Sequence, residues 1–188
     1  MATKRLTIDG YGQLELNNVA FRRDGRIEAQ CAIDADAFSN GYIENGMLLA
    51  VDNVTRKITL ATDEELPIAL NYTTEHMYDE RTPGLKNYKT NAKKDFYPRL
   101  GYLAVGDKFT TNCVSYDSSV DTAWTDESAF ISALANITAT PVYGGIGSDD
   151  GSILLSATAP TVGPKLKVIA KTTMPDGTIG IKFQCTRA

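Results

Sequence analysis

The chain reads as a mainly β protein with one short helix: a β-sandwich or β-barrel-like core with a long inter-strand loop. Three observations carry this. Apolar or alternating runs of strand length recur along the chain, punctuated by turn dipeptides such as Asn40-Gly41 and Asn45-Gly46. Only one segment, Asp126 to Ala135, has the spacing of an amphipathic helix. Between two strand-like regions lies a polar stretch, Tyr72 to Tyr102, in which tyrosines alternate with lysines and arginines.

Residues 1–36 read as an N-terminal arm or hairpin region, and residues 37–188 as the main β-rich domain. Arg5 to Asp9 alternates and stops at the turn signal Asp9-Gly10. Gln13 to Asn17 alternates with period two, Val19 to Phe21 continues apolar, and Arg23-Asp-Gly-Arg26 reads as a hairpin turn. Arg26 to Ile33 alternates again, with Ile27, Ala29, Cys31 and Ile33 on one face. Met47–Val51 and Lys57–Leu60 form a second hairpin around a polar loop. Leu66 to Leu70 is a further strand, placed by Pro67 at an edge or a strand start, because proline cannot donate to a ladder.

Leu100 to Val105 and Lys108 to Tyr116 are strand-like and split at Gly106-Asp107. The helix begins at Thr125 or Asp126, where Asp126 and Glu127 suit the positive end of the helix dipole. Pro141 to Gly147 and Ser148 to Gly151 read as turns. Ile153–Leu155, Leu166–Ala170 and Thr178–Phe183 read as strands, the last two joined by the turn Met174-Pro-Asp-Gly177.

A length of 188 residues suffices for one sizeable core. A formal net charge of -4 offers no global basis for nucleic-acid binding. No apolar run approaches the roughly 20 residues of a membrane span, and the N-terminus lacks the apolar region of a secretory signal. Cytoplasmic synthesis is therefore expected, with no membrane partner. Cys31, Cys113 and Cys185 are far apart, lack a Cys-x-x-Cys spacing, and read as buried reduced thiols. The sequons at Asn53, Asn71 and Asn136 read as chance matches.

Catalytic chemistry has few candidates. His76 is the one histidine, with no Gly-x-Ser-x-Gly elbow and no neighbouring cysteine, so it reads as a solvated loop residue. Gly144-Gly-Ile-Gly147 matches neither a dinucleotide nor a phosphate-binding loop, and Asp149-Asp-Gly151 lacks the pattern of a calcium loop. No catalytic, cofactor or metal residues are assigned, and an enzyme is not expected. The interleaved tyrosines and cations of 72–102 leave three readings open: an ordered cover over the sheet, a protein interface, or a stacking platform for single-stranded nucleic acid, against which the global charge argues.

Four stretches, Glu44–Asp52, Lys57–Leu60, Leu66–Thr74 and Leu103–Asn112, resemble small structural proteins of tailed bacteriophages. These are the head decoration, or cement, proteins and related minor capsid proteins. The resemblance spans roughly residues 40 to 116 and, more weakly, the C-terminal hairpin. It implies a non-enzymatic protein, monomeric or trimeric, that binds the major capsid protein on the capsid exterior and stabilises the head. The interface then falls on Lys4 and Arg5 of the N-terminal arm, or on Tyr78, Tyr88, Lys93, Lys94 and Tyr97 of the long loop. Another virion part (tail tube, head–tail joining or fibre-base protein) is the alternative. A third reading is a carbohydrate-binding β-sandwich module using Trp124 or tyrosines.

Overall fold

The alternating runs assemble into two sheets and a ribbon in a computed structural model that describes residues 3–8, 12–24, 31–62, 66–73, 89–92, 97–117, 124–174 and 177–188. The larger sheet has the spatial order β1 (Lys4–Arg5), β11 (Val114–Tyr116), β13 (Ile153–Ser156), β12 (Tyr143–Gly145), β14 (Lys165–Thr173), β15 (Ile179–Arg187), β10 (Lys108–Thr111) and β2 (Leu14–Asn18). The smaller runs β3 (Ala32–Ile33), β6 (Lys57–Leu60), β5 (Leu48–Asp52), β7 (Ile68–Asn71) and β9 (Leu100–Gly101). Strand β4 (Tyr42–Glu44) pairs with β8 (Lys89–Asn91). The helices are α1 (Ala20–Asp24) and α2 (Glu127–Ala135). The mainly β, barrel-like expectation holds.

The curl of the large sheet follows from its connectivity. Strands β10 and β11 lie second from opposite ends, yet only Asn112 and Cys113 separate them in the chain. The sheet must therefore bend round until its ends meet at that corner, giving a half-barrel. Lys108 to Tyr116, expected as one strand, is thus two. The bend is held by Val114 N donating to Asn112 O (2.9 Å) and Cys113 N donating to Thr111 Oγ1 (3.0 Å).

Burial explains the smaller sheet's composition. Leu48, Leu70 and Tyr72 point into the large core with Phe109, Phe183 and Leu166. Met47, Leu49, Val51 and Ala69 point the other way, into a second cluster with Phe38, Ile43 and Ile58. A strand covered on both faces needs no polar alternation, hence the unbroken apolar run from Met47 to Val51. Pro67 sits just before β7, which is flanked by β5 and β9, so the strand-start option is the one realised.

Other elements match or correct the reading. Asp126 caps α2 through a hydrogen bond from Ala129 N (2.9 Å), and Phe130 packs on Tyr116 and Trp124. The C-terminal hairpin closes at Gly177 (φ 89°), whose N–H donates to Met174 O. None of the cysteines forms a disulfide, and all three are buried. The apolar run at Val19–Phe21 leads into α1 instead of continuing a strand, because the Asp107 carboxylate accepts a hydrogen bond from Ala20 N (2.7 Å) at its first turn. Residues 25–30, including the end of the expected hairpin turn, lie outside the described residues.

Tyr143–Gly145 is a strand, not a turn. A Cβ on Gly144 would sit 2.6 Å from Ile153 Cγ2 and 3.0 Å from Phe183 Cε1, so glycine is needed here for close packing.

The described part of residues 1–36 is not set apart from the rest. It supplies β1 and β2 to the large sheet and β3 to the small one, and it buries Leu6, Leu14, Val19 and Phe21 in the large core.

Candidate functional site

Arg5, expected on an N-terminal arm or hairpin region, lies in β1 and is the hub of a polar cluster. Its strand pairs with β11, and Thr3 N donates to Asp149 Oδ2. The guanidinium turns inward: Nη1 donates to Asp150 Oδ2 (2.7 Å), and Nη2 donates to Glu44 Oε2 and lies 3.3 Å from Cys113 Sγ. Glu44, 3 % exposed, also accepts from Gly12 N (3.1 Å). Asp150 accepts from Ser152 N and Oγ. The cluster ties together β1, the end of β4, the Asn112–Cys113 corner and the turn before β13.

Its electrostatics suit a latch more than a reaction. Burial alone would raise the Asp150 pKa, but hydrogen bonds from Ser152 and the charge of Arg5 outweigh it and hold the carboxyl below the usual range. Burial pushes the Cys113 thiol up to about 12 despite the nearby guanidinium, so no thiolate nucleophile forms near neutrality. Among the described residues, no group of three His, Cys, Asp or Glu side chains is placed to hold a metal ion.

The remaining interface candidates divide. Lys4 is exposed on β1, and Tyr97 is 60 % exposed. Tyr78, Tyr88, Lys93 and Lys94, with His76, lie outside the described residues. At the borders of the tyrosine-rich stretch, Tyr72 is core, with its ring 4.9 Å from Phe21, and β8 interrupts the stretch as a strand. Trp124 is 3 % exposed and packed on Phe130, so it offers no stacking face to a sugar.

A surface absent from the sequence reading lies on the outer face of the large sheet. Strand registers align Ser156, Tyr143, Lys167, Gln184, Lys108 and Asn18 in one row across six strands. Lys165 lies two residues from Lys167 on the same face, with its Nζ 5.1 Å from the centre of the Tyr143 ring. Lys182 lies two residues from Gln184. Beneath them, Leu166, Val168, Phe183, Ile181 and Phe109 fill the core, which fixes the lysines' direction outward. A groove of about 270 Å³ opens beside Tyr143, lined by Ile146, Leu154 and Pro160.

The sequence did carry a signal for this face. Residues 165–188 hold Lys165, Lys167, Lys171, Lys182 and Arg187 against the single acid Asp176, in a chain that is acidic overall. Comparison of the chain with protein-family models, with curated proteins and with solved structures found no match.

Proposed function

We propose that the chain is a non-enzymatic virion structural protein that binds the exterior of a tailed-phage head, contacts the major capsid protein and stabilises the shell. The observation that supports this reading is where the phage-like stretches fall. The stretches Glu44–Asp52, Lys57–Leu60 and Leu66–Thr74 contain β5, β6 and β7, which pair side by side. Leu103–Asn112 supplies β10 and leads into the corner against which they pack. Gly46 (φ 91°) brings its turn so close to that corner that a Cβ would lie 2.3 Å from Thr111 Oγ1 and 2.8 Å from Cys113 Cβ. The resembling residues thus form one contiguous block of structure.

Of the side chains assigned to capsid contact, Lys4 and Tyr97 are solvent-facing and available, whereas Arg5 is engaged within the fold. The test is co-sedimentation of purified protein with capsids assembled without it. Binding that protects those capsids against heat or chaotrope supports the proposal. Recovery of all the protein in the supernatant overturns it. Localisation to the tail or neck by electron microscopy would favour the alternative virion role.

A further inference from the structure

We propose that the outer face of the large sheet, centred on Lys108, Lys165, Lys167 and Lys182, is a docking surface for an acidic polypeptide that also inserts an apolar side chain beside Tyr143.

Charge is the first argument. These four ammonium groups project from three adjacent strands spaced about 4.8 Å apart, so each stands within roughly one Debye length of its nearest neighbours in the patch. Like charges packed on one sheet face destabilise the isolated protein. Among the described residues, Lys108, Lys167 and Lys182 make no ion pair, while the described ion pairs engage Arg5 and Lys57. Glu15, which shares a register row with Thr110 and Lys182, is the described acid at the margin of the patch. The cost of gathering these charges is recovered when an acidic surface covers them.

Shape and aromatic content select the kind of polyanion. The apolar groove beside Tyr143 continues the basic row, which suits a partner carrying acidic and apolar side chains together. Single-stranded nucleic acid would want successive stacking faces. Tyr143 is the aromatic residue in the row, and its ring already carries the Lys165 ammonium. Beyond residues 165–188 the chain holds far more acids than bases, which repels a long polyphosphate but not a local acidic segment.

The surface does not depend on the capsid reading, and it is tested without capsids. Fluorescent poly-L-glutamate and a random glutamate–tyrosine copolymer are titrated with the whole chain, by anisotropy, at low and at physiological salt. Both are expected to bind, the copolymer more tightly, with affinity falling as salt rises. Lys167→Glu and the double variant Lys167→Glu/Lys182→Glu are expected to weaken binding, the double by roughly tenfold or more. Lys171→Glu, on the same hairpin but in register with the inward-facing Ile181, is the control and is expected to bind like the wild type. Thermal melts verify that each variant is folded.

The proposal is overturned if neither polymer binds, if Lys167→Glu and the double variant bind as the wild type does, or if Lys171→Glu loses as much as they do. Single-stranded DNA of equal charge competing as well as the copolymer would replace the polypeptide assignment with nucleic acid. Poly-glutamate binding without capsid co-sedimentation would overturn the proposed function and leave this surface standing.

Discussion

Arg5 fastens β1 to the end of β4 and to the turn before β13 through its guanidinium. In the sequence it is a cation near a terminus, next to Lys4, and reads as an arm reaching for a partner. In the fold, two carboxylates from positions 44 and 150 converge on it. No local pattern encodes that convergence, because it depends on the pairing of β1 with β11 and on the turn at Asp149–Gly151. Removing the guanidinium leaves Glu44 buried beside an apolar stub, so Arg5→Ala should cost about 3 kcal/mol in denaturant unfolding.

The acid limb of stability carries the same signature. The folded-state pKa of Asp150 lies below its unfolded value, so its contribution is complete above the unfolded carboxylate value of about 4. It is lost as pH falls through that value toward the depressed one. Arg5→Ala should flatten this loss, because the Arg5 charge is part of what depresses the pKa.

The cysteines, by contrast, were legible from their apolar settings. Burial raises Cys113 to about 12 and Cys185 to about 11, the latter with help from the Asp107 charge. Their contribution is complete below the unfolded thiol value of about 8.5 and declines as pH rises toward the folded values. Near neutrality, a thiol reagent should label the native protein only at the rate of unfolding and reach all three cysteines once denaturant is added.

At the scale of elements, periodicity succeeded where the cause was local and failed where it was tertiary. Helix α2 carries its own cap at Asp126, and the C-terminal hairpin carries its own turn glycine, so both were readable. Helix α1 is started by Asp107, 87 residues away from Ala20, and a short apolar run gives no hint of that. Strand β12 was hidden because glycines signal turns, whereas Gly144 is small so that Ile153 and Phe183 can close over it. Gly101 in β9 is a similar case. An added Cβ there would lie 2.4 Å from the ring of Phe21, which is itself held against Tyr72. Gly101→Ala should therefore destabilise by about 1–3 kcal/mol in denaturant unfolding, with the change seated at the Phe21–Tyr72 contact, measurable as altered tyrosine fluorescence.

At the scale of the whole molecule, the fold class followed from strand spacing and the single helical segment, but the closure of the half-barrel did not. Closure depends on the two-residue corner between β10 and β11, which an alternating sequence disguises as one long strand. Charge distribution was equally hidden by the net value. An acidic chain carries a basic C-terminal hairpin, and only the register of β10, β14 and β15 reveals that their lysines share a face. A protein that lies flat on one large surface has use for such sidedness, and a virion shell is the partner proposed here. Saturation binding to capsids assembled without the chain is the most direct test. Uptake is expected to stop at a fixed number of copies per capsid, set by capsid symmetry, and to raise capsid stability. No uptake, or uptake that never saturates and leaves capsid stability unchanged, would contradict the capsid reading.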